Sequence, residues 1–331
     1  MEDFIYLLAS FAVILAGALL FTNAVEWIGH RLGLGEGAVG SLLAAVGTAL
    51  PETLIAIVAL IGATKSEEIA IGAIVGAPFL LATLAMGLVG ATAYIYRSKR
   101  RQDITLEAHV PTLDRDLLFF MVFFGLALVL GLGAPEPVRY AAGGVFFLAY
   151  VVYVAFTLRG GGEAQAEETL NPLIMARGPV DAEDPPISIS IVQVLVGLGA
   201  MVGGAHLFVE YLLHFAENIG VEPIVLSLIL APLATELPEK VNSFFWVREG
   251  KDSLALGNIT GAMVFQSTVP VGIGLLFTSW ELSGNAAISM GLGLAGGLIA
   301  YWALRLRDRF ELPAVLAWLS LYAAFIVVVA I

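Results

Sequence analysis

The chain contains no cysteine, and charged residues make up only 13% of its 331 residues. The absence of cysteine excludes disulfide bonds and thiolate metal sites. Soluble domains have about 25% charged residues, so the low charge indicates a chain whose solvent is the lipid bilayer. Its 16 Lys and Arg against 28 Asp and Glu give a net charge of −12, which disfavours nucleic acid as a partner.

Motifs for catalysis and secretion are missing as well. The sequence has no HExxH zinc motif and no Ser/His/Asp set, so we expect a protein that is not an enzyme and has no cofactor. A secretory signal begins with a basic segment, whereas this chain begins Met1-Glu2-Asp3. We therefore expect the first apolar run to be retained as a membrane helix.

Apolar residues, at 59% of the chain, form ten runs that are long enough to cross a bilayer. A helix needs about 20 mostly apolar residues to cross a hydrocarbon core of about 30 Å. Prolines interrupt the second, third, seventh and eighth runs, and a bilayer tolerates interruptions only where protein or a water-filled cavity surrounds them. These prolines are Pro51, Pro78, Pro238 and Pro270. The predicted spans are 4–22, 38–63, 67–93, 117–133, 139–158, 188–213, 223–246, 253–278, 285–304 and 312–330.

The distribution of basic residues tests this number of spans. With ten spans, 13 of the 16 Lys and Arg fall in loops on one side, Lys65 and Arg139 fall on the other, and Lys240 stays inside a span. Cytoplasmic loops carry the excess of basic residues in membrane proteins. We therefore predict a multi-pass protein of the cell membrane, with both termini outside and the acidic, solvated linker 159–187 in the cytoplasm.

The sequence also repeats itself once. At a shift of 187, residues 48–52 align with 235–239, and at a shift of 185, residues 71–77 align with 256–262. Each copy contains five spans, an odd number, so the second copy enters the membrane from the opposite side. We predict an all-α membrane protein of ten transmembrane helices in two inverted five-helix repeats. The repeats are 1–158, with ion-site motifs at 47–52 and 71–81, and 188–331, with ion-site motifs at 234–239 and 256–266.

Two glutamates follow the prolines at equivalent places in the repeats. Glu52 and Glu239 lie inside apolar spans, where a charge costs about 2.5 to 3.5 kcal/mol and is therefore expected to be paired or functional. Carboxylates, together with the hydroxyls of Thr48 and Thr235, are the oxygen ligands that Ca²⁺ prefers. We expect these four residues to bind a metal ion; the alternative is a pair of protonated glutamates that hydrogen-bond neighbouring helices.

Other polar residues leave alternatives open. Glu236 either faces the ion or pairs with Lys240, which lies four residues further along the helix. Gln266 either coordinates the ion through its carbonyl oxygen or bonds another helix, and Ser267 is a further hydroxyl candidate. We expect Asn258 to form a hydrogen bond in helix packing; the alternative is that it binds the ion. The remaining secondary candidates are His206 and Glu210, as a vestibule pair, a proton relay or an interfacial helix end.

The motifs resemble those of a known family. Gly-Thr-Ala-Leu-Pro-Glu at 47–52 and Ala-Thr-Glu-Leu-Pro-Glu at 234–239, followed by Gly-Ala-Ile-Val-Gly at 72–76 and Gly-Asn-Ile-Thr-Gly at 257–261, resemble the two alpha-repeats of the cation/calcium exchanger superfamily, closest to its sodium/calcium exchanger branch. The resemblance implies ten helices in two inverted halves. It also implies that Ca²⁺ and Na⁺ compete for one central site while the first and sixth helices slide across the rest.

By position, the resemblance implies that Glu52 and Glu239 are the paired ion ligands and that Thr48 and Thr235 contribute oxygens. This chain departs from the family pattern of Gly-Ser-Asn followed three residues later by Asn or Asp. It has Gly-Ala-Pro at 76–78 with Leu81, and Gly-Ala-Met at 261–263 with Gln266. The serine oxygens are lost in both halves, so we expect fewer bound ions than a three-sodium stoichiometry requires.

From these features we predict an antiporter that exchanges a divalent cation, with Ca²⁺ as the first choice, against Na⁺ or H⁺ by alternating access. One set of buried negative charges means that driving ion and cargo take turns at the site. The alternatives are exchange of Mg²⁺ or Mn²⁺ for protons on the same scaffold, a passive channel, and an ion-binding membrane protein that does not transport. The expected partners are the lipid bilayer and inorganic cations; the sequence leaves the oligomeric state open, and a monomer is compatible with it.

Overall fold

The computed structural model describes residues 2–31, 36–62, 66–97, 106–107, 111–159, 172–176, 186–307 and 309–330. These residues form helices and one short strand pair, in which β1 (Leu106–Glu107) runs antiparallel to β2 (Arg309–Phe310). The helices of the first half are α1 (Glu2–Arg31), α2 (Glu36–Ile61), α3 (Glu67–Leu80), a π-helical turn (Leu81–Ala85), α4 (Met86–Ile95), α5 (Pro111–Gly131) and α6 (Glu136–Arg159). Those of the second half are α7 (Ile187–Ile219), α8 (Pro223–Arg248), α9 (Asp252–Gln266), α10 (Val269–Phe277), α11 (Gly284–Arg307) and α12 (Leu312–Ala330).

Every predicted span corresponds to a helix or to a pair of helices. The third span consists of α3, the π-turn and α4, the eighth consists of α9 and α10, and each of the other eight is a single α-helix. In the described part, seven helical segments are long and apolar enough to cross a membrane, and Ala49–Ile61 and Pro223–Glu236 are shorter apolar segments. The α3–α4 span is buried almost throughout, whereas α6 is mostly exposed.

Local sequence signals set several helix ends. Ser66 accepts a hydrogen bond from the Ile69 backbone N–H at 3.3 Å and caps the N-terminus of α3. Gly220 follows α7 with a φ of 70°, a left-handed conformation that glycine adopts without steric cost. Pro223 opens α8, at a helix position where the missing N–H would have no partner within the helix.

Three of the expected interruptions are not breaks. Helix α2 continues through Pro51, α3 continues through Pro78, and α8 continues through Pro238. The helical path changes instead at the π-turn of 81–85 and at residues 267–268, where Thr268 has a φ of −121° and a ψ of −67°. A proline removes one backbone hydrogen bond, and a helix buried among other helices continues past that loss because its neighbours hold the chain in place.

The contact between α1 and α7 shows the internal symmetry directly. A Cβ atom on Gly17 would lie 2.7 Å from the carbonyl oxygen of Gly197, and a Cβ atom on Gly204 would lie 3.1 Å from that of Ser10. Since Gly17 aligns with Gly204 and Ser10 aligns with Gly197 at the shift of 187, the two contacts are equivalent. The repeat maps each contact onto the other, as expected when a two-fold axis relates two inverted halves.

The linker between the halves is partly packed against helices. Met175 donates its backbone N–H to Gln193 Oε1 at 2.8 Å, and Ile174 donates to Asn23 Oδ1 at 3.0 Å. Gln193 Nε2 in turn donates to Asn23 Oδ1 at 2.9 Å, which joins α7 to α1 beneath the linker. Residues 172–176 therefore rest on the α1–α7 pair, in contrast to the solvated linker expected from the acidic sequence.

Candidate ion-binding site

Two carboxyl side chains and one amide side chain are buried on α2, α8 and α9. Glu52 on α2 is 2% exposed, Glu236 on α8 is 1% exposed, and Gln266 at the end of α9 is 1% exposed. The three helices contact one another pairwise. Buried ionisable groups are costly in a membrane and face the interior of the bundle when they have a function. This region is therefore the candidate site.

Glu236 and Gln266 contact each other directly across α8 and α9. Gln266 Nε2 donates a hydrogen bond to Glu236 Oε1. A carboxylate only accepts hydrogen bonds, so the amide must turn its NH₂ group toward Glu236. Gln266 Oε1 is buried and has no hydrogen-bond partner among the described residues. The contact therefore leaves the amide oxygen as the atom of Gln266 that is available to a cation.

This geometry bears on the question that the sequence left open for Glu236. The carboxylate of Glu236 meets an amide on the broken span of its own half, at the junction of three helices. It therefore belongs to the candidate site. The side chains of Thr48, Glu239 and Lys240 lie outside the described residues, so their predicted roles, and the pairing of Glu236 with Lys240, remain predictions.

Hydroxyl groups surround the same region. Thr235 is 1% exposed and donates to the Ala231 carbonyl at 2.8 Å, and Ser267 donates to the Val264 carbonyl at 3.1 Å. A hydroxyl that donates its proton keeps oxygen lone pairs for a cation. Thr53, next to Glu52, makes the same kind of bond to the Ala49 carbonyl at 2.9 Å. Sequence reasoning did not select Thr53, although its position directly after Glu52 could have suggested it.

The end of α9 adds an electrostatic preference for cations. Gln266 is the last residue of this helix, and Thr268 leaves the helical conformation before α10 begins. The last carbonyl groups of a helix carry the negative end of its dipole. Ser267 and Thr268 use part of this acceptor capacity through bonds to Val264 and Phe265. A cation beside Gln266 would therefore be close to side-chain oxygens and to the negative end of the α9 dipole.

Three secondary candidates are not brought to this site. His206 and Glu210 are exposed on α7, and the ring of His206 lies near Gly62 at the end of α2. Asn258 is partly exposed and lies eight residues before Gln266 on α9, or about 12 Å along the helix axis. Among the described residues, no three His, Cys, Asp or Glu side chains converge as metal ligands. A cation would therefore depend on carboxylates combined with neutral oxygens.

The structure also reveals a buried acid that the sequence analysis did not select. Asp116, near the start of α5, is 5% exposed and accepts hydrogen bonds from Tyr153 and Thr260. It lies one residue before the predicted span 117–133. Only the packing of α6 and α9 against α5 encloses its carboxylate.

The sequence is similar to that of known membrane exchangers. The family described as sodium/calcium exchanger protein matches residues 3–159 and 189–331. The sodium/calcium exchanger MaX1 of Methanosarcina acetivorans is 25% identical over 295 residues, which cover 83% of each chain.

Solved structures share the fold. The H⁺/Ca²⁺ exchanger CAX superposes with a TM-score of 0.73 at 18% identity, covering 98% of this chain and 82% of the other. The sodium-calcium exchanger NCX_Mj superposes with a TM-score of 0.60 at 20% identity, covering 98% of both chains. These likenesses confirm the predicted fold of ten transmembrane helices in two inverted repeats. The chain belongs to the sodium/calcium exchanger protein family and is a membrane transporter, not an enzyme.

Proposed function

We propose that this protein is a secondary active antiporter that exchanges Ca²⁺ against Na⁺ or H⁺ at a site containing Glu52, Glu236 and Gln266. The observation that carries the proposal is the contact between the Glu236 carboxylate and the Gln266 amide at the junction with the helix of Glu52. Glu239, with Thr48 and Thr235, completes the proposed ligand set from the sequence repeat.

The chemistry of this site suits a hard divalent cation. Carboxylate, amide and hydroxyl oxygens are the ligand types that Ca²⁺ takes. Two carboxylates inside a protein repel each other, and burial further disfavours their charged forms. A divalent cation or a set of monovalent ions removes that penalty. The site is therefore more stable when occupied than when it is charged and empty.

This penalty gives a physical reason for exchange. Movement of the site across the membrane with two uncompensated carboxylates is unfavourable, so the return step requires a second ion. Either Na⁺ or protons meet that requirement. Both drivers occur in the names of similar proteins, since MaX1 is named as a sodium/calcium exchanger and CAX as an H⁺/Ca²⁺ exchanger.

The α1–α7 pair is the proposed moving element. Its two helices meet through Gly17, Gly197 and Gly204, where backbone approaches backbone closely. Helices that contact through small residues form a compact unit, and such a unit can shift as one body past α2 and α8. From the charge distribution we further propose that both termini lie outside the cell and that residues 159–187 are cytoplasmic.

The test is Ca²⁺ flux into liposomes that contain the purified protein. We expect uptake that saturates with Ca²⁺ and follows an outward gradient of Na⁺ or of H⁺, with imposed membrane potential held constant. Glu52→Gln should abolish this flux. Glu217→Gln, which changes an exposed acid at the end of α7, is the matched control and should transport at the wild-type rate.

Four results would contradict the proposal. No Ca²⁺ movement under either gradient would indicate an ion-binding protein that does not transport. A linear, unsaturable flux would indicate a channel. Flux of Mg²⁺ or Mn²⁺ that Ca²⁺ does not inhibit would assign the site to a different divalent cation, and wild-type flux in Glu52→Gln would remove that residue from the site.

A further inference from the structure

The carboxylate of Asp116 joins three helices on one side of the bundle. Asp116 Oδ2 accepts a hydrogen bond from Thr260 Oγ1 of α9 at 3.1 Å. Asp116 Oδ1 accepts one from the Tyr153 hydroxyl of α6 at 2.8 Å and another from Arg115 Nη2 at 3.1 Å. Because Asp116 itself belongs to α5, a single side chain links α5, α6 and α9.

The charge of Asp116 is balanced within this cluster. The Arg115 guanidinium forms an ion pair with Asp116 and lies 4.8 Å from the centre of the Tyr153 ring. Both carboxylate oxygens already accept hydrogen bonds from protein donors. This arrangement does not favour a second cation, since a cation would have to displace an arginine that is already in place. The cluster of Arg115, Asp116 and Tyr153 instead restrains α9, through the hydrogen bond from Thr260 to Asp116.

The Thr260 contact and the Gln266 contact restrain α9 on two different faces. The two residues are six positions apart, and at about 100° per residue their side chains point about 120° away from each other around the helix axis. Thr260 faces α5 through Asp116, whereas Gln266 faces α8 through Glu236. Two contacts on different faces fix the rotation of a helix about its own axis. One contact alone does not fix it.

Helix α9 needs such a restraint more than its counterpart in the first half. Gly257, Asn258 and Gly261 are partly exposed, whereas the equivalent residues of α3, at 72, 73 and 76, are all buried. At the shift of 185, Thr260 corresponds to Val75, a buried residue that has no hydrogen-bond donor in its side chain. Among the described residues, α3 therefore has no side-chain hydrogen bond at the position where α9 has that of Thr260.

We propose that Asp116 is a positioning residue for ion binding. Through Thr260 it sets the rotation of α9, and α9 in turn presents the Gln266 amide to Glu236 and to the cation. This inference rests on the proposed function, because its effect is measured as the affinity of the site for Ca²⁺. It assigns no contact with the ion to Asp116 itself.

The test replaces the hydroxyl of Thr260 and measures Ca²⁺ transport as a function of Ca²⁺ concentration. Loss of one buried hydrogen bond corresponds to about a fivefold change in an equilibrium constant. We expect Thr260→Val to raise the half-saturating Ca²⁺ concentration by about fivefold with a maximal rate within about twofold of wild type. Thr260→Ser, which keeps the hydroxyl, should restore the wild-type value.

Thr92→Val is the matched control. Thr92 lies in α4 and donates to the Leu88 carbonyl of its own helix at 2.8 Å, so its replacement removes a hydroxyl whose hydrogen bond stays within α4. Its half-saturating Ca²⁺ concentration should equal that of wild type. If Thr92→Val shifts this value as much as Thr260→Val does, the effect is a general loss of packing and the positioning role is overturned.

A double-mutant cycle separates positioning from stability. If Thr260 acts through Gln266, Thr260→Val should change the half-saturating concentration little once Gln266→Leu is present. Additive effects, or a wild-type affinity in Thr260→Val, overturn the inference. If Thr260→Val does not fold, Tyr153→Phe removes another donor to Asp116 and should raise the half-saturating concentration by about twofold; an unchanged value there also overturns it. Absence of Ca²⁺ transport by the wild-type protein would instead contradict the proposed function.

Discussion

The two interrupted spans occupy equivalent places in the repeats but differ in chemistry. At the shift of 185, Leu81 corresponds to Gln266 and Ala82 corresponds to Ser267. The first span passes through this region as a fully helical path with a buried, mainly apolar π-turn. The second span breaks there and buries two hydroxyls and an amide, and the amide donates a hydrogen bond to Glu236. Among the described residues, the polar groups of the candidate site are therefore concentrated in the second half.

The same two spans also differ in packing. A Cβ atom on Gly72 would lie 2.8 Å from the Ile224 carbonyl, and one on Gly76 would lie 2.5 Å from the Leu228 carbonyl, so α3 packs directly on the backbone of α8. Helix α9 has partly exposed glycines and a hydrogen bond to Asp116. The comparison shows that one interrupted span of a repeat protein can pack tightly on its neighbour while its counterpart carries a candidate side-chain ligand.

The largest effect is expected for Glu236, whose carboxylate has no counterpart in the first half. Ala49 is the counterpart of Glu236. Glu236→Gln keeps an oxygen but removes a buried negative charge, and we expect Ca²⁺ flux in liposomes to fall by about 100-fold or more, which corresponds to about 2.7 kcal/mol. Wild-type flux in this variant would show that Glu236 is not part of the transport site, and the contrast between the halves would lose its functional meaning.

A matched pair of glycine substitutions tests the packing difference. Gly76→Ala places a methyl group 2.5 Å from the Leu228 carbonyl and 2.9 Å from Pro232 Cγ, whereas no neighbouring heavy atom is found within 4 Å of the same position at Gly261. Overpacking of a core costs about 1 to 3 kcal/mol, so Gly76→Ala should lower the thermal unfolding midpoint in detergent. Gly261→Ala should leave it unchanged or raise it. Equal destabilisation of both variants would contradict the packing comparison.

An exchange of side chains between Leu81 and Gln266 tests the chemical difference. Gln266→Leu should raise the half-saturating Ca²⁺ concentration by about tenfold, which corresponds to about 1.4 kcal/mol, since it removes an oxygen and the donor to Glu236. Leu81→Gln should instead lower thermal stability, because a buried amide without partners costs about 1 to 3 kcal/mol in proteins. Ca²⁺ titration of flux and a thermal melt on each variant distinguish these outcomes. A higher Ca²⁺ affinity in Leu81→Gln would mean that the first half accepts a ligand at this position.

The smallest effect is expected where the two spans agree. Thr83 donates to the Phe79 carbonyl at 2.6 Å, and its counterpart Thr268 donates to the Val264 carbonyl at 2.7 Å. Either substitution by valine removes one intrahelical hydrogen bond and should cost about 0.5 to 1.5 kcal/mol of stability. Only Thr268→Val should also change Ca²⁺ affinity, because Thr268 lies in the break beside Gln266. An equal change of affinity in Thr83→Val would place the first span in the site as well.

Much of this architecture follows from the sequence because its signals are local or repeated. The ten apolar runs predict the helical spans, since a bilayer imposes a minimum length on each crossing. The repeat of residues 48–52 at 235–239 predicts the inverted halves, and the fold of similar structures confirms both predictions. Glu52 was predicted to be paired or functional in the same way, because a carboxylate in an apolar run is costly wherever the run packs; the structure shows it buried, and its role stays a prediction.

The interruptions were predicted less well. Pro51, Pro78 and Pro238 indicated breaks, but α2, α3 and α8 continue through them, and the path changes at 81–85 and at 267–268 instead. A proline removes one backbone hydrogen bond from its own helix. Whether the helix ends there depends on the contacts that hold it from outside. Those contacts come from residues that are distant in the sequence.

The sequence by itself determined that this protein is a ten-helix membrane transporter, since apolar length, charge placement and repetition are properties of the chain alone. The placement of Glu52 and Glu239 at an ion site remains a prediction. Only the tertiary structure decided that Glu236 meets Gln266 and that Asp116 holds Thr260. Both contacts join residues at least 30 positions apart on different helices. The physical reason is that hydrogen bonds act over about 3 Å, and the rotation of each helix, which brings donors to acceptors, is set by the packing of all its neighbours.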